Sequence, residues 1–204
     1  MAKISALFWD IGGVLLSNGW DKPSRRKTAQ KFDLDWEEFE DRHELVVAAF
    51  ETGKIGLNEY LERTVFYRPR AFTPQDFKDF LFSLSEPCSE TLGILARLAK
   101  SKAYLLAALN NESLELNLYR INRFGLRDYF DAFFSSCFLG VKKPDEAIYR
   151  LALQMTQLPP EECLFIDDRA LNLECARNCV GMRTIHFQAP AQLQHELREL
   201  GIEA

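Results

Sequence analysis

The sequence predicts an α/β protein in which a doubly wound, mainly parallel, Rossmann-like sheet carries an inserted all-helical segment. Two observations support this prediction. From residue 89 onward, short apolar segments alternate with helical ones, and these segments are too apolar to form strands with one face in water. Between residues 17 and 88, by contrast, apolar residues recur at helical spacing and no strand alternates convincingly.

The first predicted strand is a short apolar run over residues 4–9. It ends where Asp10 is followed by Ile11 and two glycines, a sequence typical of a turn. In the insert that follows, capping residues predict three helices. The first helix begins at Asp35 and stops at Gly53, the second begins at Asn58, and the third begins at Thr73.

The remaining elements alternate between helix and strand, so they predict a parallel sheet covered on both sides. The predicted helices are residues 89–100, 113–124, 144–155, 169–179 and 191–200, and the predicted strands are 103–109, 132–135, 163–166 and 183–186. This pattern divides the chain into an α/β core, residues 1–16 and 89–204, and a helical cap, residues 17–88.

Composition excludes several classes of protein. With 204 residues, 47% of them hydrophobic and 27% charged, the chain is neither disordered, collagen-like nor a coiled coil. The net charge of −5 predicts no nucleic-acid partner, because binding to a phosphate backbone needs clustered Lys and Arg. The longest apolar run, residues 103–109, is far too short for a membrane span. Five cysteines without a CxxC pair predict reduced thiols in a cytoplasmic protein.

Polar residues follow four of the predicted strands. The carboxyl ends of parallel strands meet at one edge of the sheet, where ligands bind in open α/β folds, so we expect these side chains to converge. An alternative is that some of them only form turns or cap helices. The residues are Asp10, Asn110 and Asn111, Lys143, and Asp167 and Asp168.

The expected cluster contains three carboxylates and one ammonium group. Three carboxylates within a few ångströms cannot all stay ionised without a cation, since like charges raise each other's pKa. Mg²⁺ suits such a site because it takes oxygen ligands and completes its shell with water and phosphate. Lys143 would balance the remaining negative charge, and Gly12 and Gly13 would let the backbone approach an anion closely.

Four segments of the chain resemble, in order, the four motifs of the haloacid dehalogenase (HAD) superfamily. Each motif lies at the end of a predicted strand, and the helical insert follows the first motif, where that superfamily carries a helical cap. The segments are Phe8-Trp9-Asp10-Ile11-Gly12-Gly13-Val14-Leu15, Leu109-Asn110-Asn111, Gly140-Val141-Lys142-Lys143-Pro144-Asp145 and Phe165-Ile166-Asp167-Asp168-Arg169.

The resemblance implies a hydrolase that forms an aspartyl-phosphate on Asp10. It implies Mg²⁺ as cofactor, held by Asp10, the Gly12 carbonyl and Asp168 with Asp167 adjacent. Lys143 would neutralise the phosphoryl group and orient the nucleophile. The phosphoryl oxygens would be bound by Gly12, Gly13, Asn110 and Asn111.

Two positions depart from the family pattern. Most phosphatases of the family carry a second Asp two residues after the nucleophile, as general acid and base, where this chain has Gly12. The loss of this proton transfer predicts either that leaving groups must be good ones or that the cap or the substrate supplies the proton. The second motif usually supplies Ser or Thr, where this chain has Asn110, whose amide can still donate to phosphate.

The expected function is Mg²⁺-dependent hydrolysis of a small phosphorylated metabolite under the cap. A first alternative is a metal-independent 2-haloacid dehalogenase, since that branch also lacks the second Asp. A second alternative is a degenerate, non-catalytic protein that binds a phosphorylated ligand. The sequence leaves open whether the chain is a monomer or a homodimer, and whether Arg68 and Arg70 contact substrate.

Overall fold

The computed structural model describes residues 3–203, and these residues form one sheet of five parallel strands. The strands are β1 Ala6–Trp9, β2 Leu105–Asn110, β3 Ala132–Ser135, β4 Cys163–Asp167 and β5 Arg183–His186. They lie in the order β3-β2-β1-β4-β5, so β1 and β4 are neighbours at the centre. Trp9 is in register with Ile166, which places Asp10 beside Asp167 at the carboxyl edge.

Ten α-helices lie along the described part of the chain. They are α1 Lys22–Lys31, α2 Trp36–Glu51, α3 Leu57–Thr64, α4 Pro74–Ser83, α5 Ser89–Ser101, α6 Leu114–Arg123, α7 Ser136–Leu139, α8 Glu146–Thr156, α9 Ala170–Asn178 and α10 Pro190–Glu199. Helices α1–α4 fall between β1 and α5, and residues 17–88, all of them described, contain no strand. The other helices precede, connect or follow the strands of the sheet.

Both faces of the sheet are covered, because successive strand residues point to opposite sides. On one face, Leu7 belongs to a buried cluster with Leu95 of α5 and Leu193 of α10. On the other face, Phe8 packs in a cluster with Tyr149 of α8 and with side chains of α9. Both faces of the strands are apolar because helices cover both sides of the sheet. The predicted doubly wound fold is therefore confirmed.

The helices of the insert have a hydrophobic core of their own. Phe39 of α2, Leu61 of α3 and Phe77 of α4 are fully buried together, with Ala29 of α1 beside them. Leu116 of α6 joins the same cluster from the sheet side of the molecule. The many phenylalanines of this segment thus form a small core that packs on α6, and they need no substrate to explain them.

Two chain segments connect the insert to the sheet, and they run side by side. Ser17 N donates to Glu86 O at 2.8 Å, so the outgoing and returning segments are hydrogen-bonded. Arg120 of α6 is buried and bonds to both: Nη2 donates to Ser17 O at 2.6 Å and Nε to Ser85 Oγ at 3.1 Å. One guanidinium group therefore holds both connections against the core.

Helix α1 is missing from the sequence-based prediction, which places no element over these residues. Asp21 caps this helix, but it buries only Arg25, Thr28 and Ala29, so no apolar stripe marks it. The predicted start at Asn58 is also wrong, because α3 begins at Leu57 after the N-cap Gly56. The amide of Leu57 instead donates to Glu115 Oε1 of α6 at 2.8 Å, a tertiary cap that local sequence does not reveal.

The division into a core of residues 1–16 and 89–204 and a cap of residues 17–88 stays a proposal. Residues 1, 2 and 204 of that division lie outside the described residues. Within the described ones, no helix has the length and apolar character needed to cross a membrane.

The buried imidazole of His43 makes the stability of the cap depend on pH. Its Nδ1 lies 2.9 Å from the Tyr60 hydroxyl, and burial, reinforced by the charge of Arg25, lowers the pKa of His43 to about 4. An unfolded chain, with an ordinary pKa near ~6.5, binds this proton more readily. The free energy that neutral His43 contributes to folding is therefore fully present at neutral pH, and it is lost as the pH falls from ~6.5 to about 4.

We expect the wild-type chain to lose roughly 2 kcal/mol more stability between pH 7.5 and pH 5 than a His43→Gln variant. Urea unfolding of both proteins at each pH measures the difference. A matched control is His195→Gln, because His195 is exposed on α10 and should leave the pH dependence as in the wild type. An identical pH dependence in the wild type and His43→Gln would contradict the assignment.

Candidate active site

Three carboxylates meet at the carboxyl edge of the two central strands. Asp10 follows β1, Asp167 ends β4 and Asp168 comes next in the chain. One oxygen from each lies within 4.8 Å of the others. Asp10 and Asp167 are buried and Asp168 is partly exposed. The predicted convergence is therefore present, and it follows from the parallel register of β1 and β4.

The ammonium group of Lys143 lies against two of these carboxylates. Its Nζ is 2.7 Å from Asp167 Oδ2 and 3.0 Å from Asp10 Oδ1, and it also donates to Leu109 O at 2.8 Å. The three contacts match the three hydrogens of an ammonium group. Lys143 is only 2% exposed, so its charge is neutralised inside the protein by these oxygens.

Asp167 is held on every side by hydrogen-bond donors. Its Oδ1 accepts from the backbone amide of Arg169 at 2.7 Å, and Asn172 Nδ2 lies 3.0–3.1 Å from both oxygens. With Lys143 on Oδ2, the carboxylate is satisfied by protein groups alone. This arrangement makes Asp167 a positioning group for Lys143 more than a free ligand.

Burial and mutual repulsion shift the protonation of the cluster. Burial raises the pKa of Asp10 to about 7, an effect that Lys143 opposes and Asp167 reinforces. Burial and the charge of Asp167 also raise the pKa of Asp168. Burial alone would lower the pKa of Lys143, but the charges of Asp10 and Asp167 outweigh it and raise the value. Three carboxylates thus face one cation, and a further cation is favoured.

The residues present fit a magnesium ion. Asp168 Oδ1 is buried and has no hydrogen-bond partner within the described protein, which is costly for a carboxylate unless something else binds it. Asp10 and Asp168 offer the hard oxygen ligands that Mg²⁺ prefers. The donor set therefore agrees with the predicted cofactor, and the assignment of Asp10, Gly12, Asp167 and Asp168 as ligands stays a proposal.

Gly13 is required at this edge for a reason other than anion binding. Its φ of +77° suits glycine, and a Cβ there would lie 2.3 Å from Asp168 Oδ2. Its amide donates to Leu16 O at 2.8 Å, so it is not directed at a ligand. Gly13 thus makes room for Asp168, and the predicted phosphate contact finds no support here. Gly12, in contrast, does line the cavity described below.

The two asparagines after β2 are occupied by the protein itself. Asn110 is 2% exposed, donates to Asn117 Oδ1 at 3.0 Å and accepts from Ser135 Oγ at 2.7 Å. Asn111 bonds to both backbone groups of Lys143, at 2.8 and 2.9 Å, and also lines the cavity. The geometry therefore supports Asn111 as the residue that places Lys143, and it does not support a phosphate contact by the Asn110 side chain.

A cavity of about 620 Å³ opens between the carboxylates and the helical insert. Its walls mix charged and apolar groups: Lys22, Arg25 and Lys142 alternate with Trp20 and Phe50. Arg68 and Arg70 are not among its lining residues; Arg68 instead pairs with Glu38 at 3.1 Å. A small anionic molecule with an apolar part matches this lining.

One buried pair near the cavity is absent from the sequence-based prediction. Glu112, which lines the cavity, lies with Oε2 3.4 Å from Arg120 Nη1, and both are almost fully buried. A signal was present in the sequence, because Arg120 and Asn117 stand on the same helical face as the apolar Leu116 and Ile121. Charged residues on an apolar helix face indicate a buried polar site.

The chain matches known proteins over most of its length. Residues 4–179 match the model of the haloacid dehalogenase-like hydrolases. Drimenol cyclase of Aspergillus calidoustus is 27% identical over 97% of this chain, and flavin mononucleotide hydrolase 1 of Arabidopsis thaliana is 30% identical over 80% of it. The chain spans only 36% and 65% of the lengths of these two relatives.

Solved structures show the same fold. A HAD family enzyme of Bacteroides thetaiotaomicron superposes with a TM-score of 0.83 over 97% of this chain and 100% of that one, at 21% identity. The same enzyme in complex with magnesium and inorganic phosphate gives a TM-score of 0.74 over 91% and 95% of the two chains, at 20% identity. An L-2-haloacid dehalogenase gives a TM-score of 0.62 over 89% and 83%, at 21% identity.

We expect Lys143→Met to lower the free energy of unfolding by about 3–5 kcal/mol, because it leaves two buried carboxylates without their cation. Lys142→Met is the matched control. Its ammonium pairs with Glu51 at 2.6 Å but is about one third exposed, so its loss should cost under ~1 kcal/mol. Urea unfolding in EDTA measures both; equal losses in the two variants would contradict the buried cluster.

We expect Mg²⁺ to raise the melting temperature of the wild type, since a ligand at about 100 times its Kd stabilises by ~2.7 kcal/mol. Asp168→Asn should abolish most of this stabilisation because it removes the unpartnered carboxylate oxygen. Asp33→Asn, which removes an exposed charge after α1, should retain it. Thermal unfolding and titration calorimetry with Mg²⁺ provide the measurement. Binding to Asp168→Asn as tight as to the wild type would refute the ligand assignment.

Proposed function

The chain belongs to the haloacid dehalogenase-like hydrolases, and we propose that it hydrolyses a small phosphomonoester with the help of Mg²⁺. The observation that supports this most directly is the cluster of Asp10, Asp168 and Lys143. Asp168 offers an unpartnered buried oxygen, and Lys143 brings a fixed positive charge beside Asp10. Together they suit an anionic substrate whose charge is shared between a metal ion and an ammonium group.

In this proposal Asp10 is the nucleophile. One of its oxygens attacks phosphorus, the bond from phosphorus to the ester oxygen breaks, and an aspartyl-phosphate forms. Water then attacks the same phosphorus, releases inorganic phosphate and restores Asp10. A bound magnesium ion would supply charge neutralisation of the phosphoryl oxygens during both steps.

Lys143 has two roles in the proposed reaction. Its contact at 3.0 Å, with the Ile11 amide at 2.8 Å, holds Oδ1 of Asp10, so Oδ2 is the oxygen proposed to attack. Its charge also lies where negative charge accumulates on the phosphoryl group. Asn111 and Asp167 act through Lys143, because they hold its backbone and its ammonium group in place.

The comparisons support this direction. One relative is described as a flavin mononucleotide hydrolase, another as a glyceraldehyde 3-phosphate phosphatase from Pyrococcus furiosus, and a structural neighbour holds magnesium with inorganic phosphate. We therefore propose a small phosphorylated metabolite as the substrate. Neither a nucleic acid nor a membrane enters this proposal. The cytoplasmic location stays a prediction from the sequence, which does not choose between a monomer and a homodimer.

A 2-haloacid dehalogenase is the second candidate, since structures described as dehalogenases share this fold. In that reaction Asp10 would attack carbon and no metal would be needed. The pair Asp167-Asp168 favours the phosphatase, because a metal-free site has no use for the unpartnered Asp168 oxygen. A third possibility, a non-catalytic phospho-ligand binder, rests on Gly12 and on the occupied Asn110 side chain.

We expect the wild type to hydrolyse para-nitrophenyl phosphate in Mg²⁺ and to lose this activity in EDTA. Asp10→Asn should lower kcat by more than ~10³-fold, because an amide oxygen is a poor nucleophile. Asp33→Asn is the matched control and should keep wild-type activity, since Asp33 is exposed outside the cavity. Release of para-nitrophenol is followed by absorbance.

Three outcomes would contradict the proposal. Undiminished hydrolysis in EDTA would exclude the metal-dependent mechanism, and activity retained by Asp10→Asn would exclude the nucleophile. Halide release from a 2-haloacid in EDTA, without phosphate release from any ester, would replace the phosphatase with the dehalogenase.

A further inference from the structure

We propose that Glu112 is the general acid and general base of this site, the group that protonates the leaving oxygen and then deprotonates the attacking water. The inference rests on the proposed phosphatase function. It starts from a need of the chemistry: an alkoxide leaving group must gain a proton, and the second step must remove one from water.

Glu112 lines the same cavity as Asp10, at its boundary with the helical insert. Attacking and leaving oxygens are roughly in line in phosphoryl transfer, so the ester oxygen points away from Asp10 towards the helical insert. Glu112 follows β2 and lines the cavity on that side, next to Gly19. A Cβ at Gly19 would lie 2.1 Å from Glu112 Oε2, so this glycine leaves room for the carboxyl group.

The side chain is fixed by the protein before substrate arrives. Ser113 N donates to Glu112 Oε1 at 3.0 Å, and Glu112 N donates to Ser136 Oγ at 3.0 Å. The Ser136 hydroxyl in turn donates to Glu51 O of α2 at 2.6 Å. These bonds connect the backbone of Glu112 to the helical insert, while its carboxyl group is held by Ser113 N on Oε1 and by Arg120 on Oε2.

Arg120 also connects Glu112 to the position of Gly12. A Cβ at Gly12 would lie 3.7 Å from Arg120 Nη1, the same nitrogen that pairs with Glu112 Oε2 at 3.4 Å. An acidic side chain at residue 12 would therefore meet the guanidinium group that Glu112 already faces. In this proposal Glu112, two residues after the end of β2, supplies the carboxyl group that Gly12 does not provide.

Besides Asp10 and Glu112, two carboxyl groups line the cavity, and both are less buried than Glu112. Asp21 accepts from Ser24 N as the cap of α1, and Glu51 pairs with Lys142 at 2.6 Å. Burial raises the pKa of Glu112 to about 7, although Arg120 and Ser113 oppose the rise. Glu112 can therefore hold a proton at neutral pH and release it beside a cation, as an acid and base of this kind requires.

The proposed steps balance in protons. In the first step the Asp10–phosphorus bond forms, the phosphorus–ester oxygen bond breaks, and the leaving oxygen takes the Glu112 proton. The Glu112 carboxylate is then paired with Arg120. In the second step water loses a proton to Glu112 as its oxygen bonds to phosphorus, the bond to Asp10 breaks, and the starting state returns. Slow dephosphorylation is then expected only when Glu112 is replaced.

The test compares two substrates of nearly the same shape, phenyl phosphate and para-nitrophenyl phosphate. Phenol is the weaker acid, so its departure depends more on a proton donor. Glu112→Gln should lower kcat/KM for phenyl phosphate by about 10²–10⁴-fold, and for para-nitrophenyl phosphate by at least ~10-fold less. The same variant should accumulate phosphoenzyme in a rapid quench, because water is no longer deprotonated.

Glu115→Gln is the matched control. Glu115 also connects α6 to the insert, through the Leu57 amide, but does not line the cavity. Its replacement should change both substrates by the same factor. Glu112→Ala gives the same comparison if glutamine prevents folding, because the Arg120 guanidinium group keeps its bonds to Ser17 O and Ser85 Oγ when the carboxyl group is removed.

The outcomes separate the two proposals. If the wild type hydrolyses both esters in Mg²⁺ but Glu112→Gln slows them equally, or does not accumulate phosphoenzyme, Glu112 is not the acid and base and the proposed function still holds. If the wild type hydrolyses neither ester, the proposed function fails and this inference fails with it.

Discussion

The buried ammonium group of Lys143 is the interaction on which the centre of this structure depends. The parallel register of β1 and β4 forces Asp10 and Asp167 together at the sheet edge. Two buried carboxylates so close repel each other unless a cation lies between them. Lys143 lies there, with contacts of 3.0 and 2.7 Å, and the rest of the edge is organised to keep it in place.

Helix α6 connects this edge to the helical insert. Arg120 bonds to both connecting segments, and Glu115 caps α3 across the boundary. Leu116 of the same helix joins the hydrophobic core of the insert. The cavity therefore has one wall on the sheet and one on the insert, and a single helix determines the spacing between them. Polar residues occur on a face of α6 that would otherwise be apolar, because that face bonds to the connecting segments and to the insert.

The sequence located the strands well because β1–β4 are short apolar runs with a polar residue at or directly after their ends, whereas β5 was located from its place in the alternation of helix and strand. The predicted bounds of β3 and β5 match the structure, and Asp10, Lys143, Asp167 and Asp168 converge as expected. It failed where the signal was not local. Helix α1 has no apolar stripe, and α3 is capped by Glu115, far away in the chain. The Asn110 amide, which was expected to face a ligand, forms hydrogen bonds to Asn117 and Ser135 inside the core.

The sequence by itself determined the order of the elements, the two-sided burial of the sheet and the set of charged residues at its edge. It could do so because the hydrophobic period and the ends of strands depend on residues close together in the chain. Only the tertiary structure decided which of those polar groups stay available for chemistry. A polar group whose hydrogen bonds are all made within the protein is not free to bind a ligand, and folding decides which groups it brings near. Folding pairs Asp167 with Asn172 and Lys143, whereas Asp168 Oδ1 has no such partner within the described chain. The same allocation placed Glu112 beside the cavity and paired it with Arg120, whereas the sequence indicated only that Arg120 lies on a buried helix face.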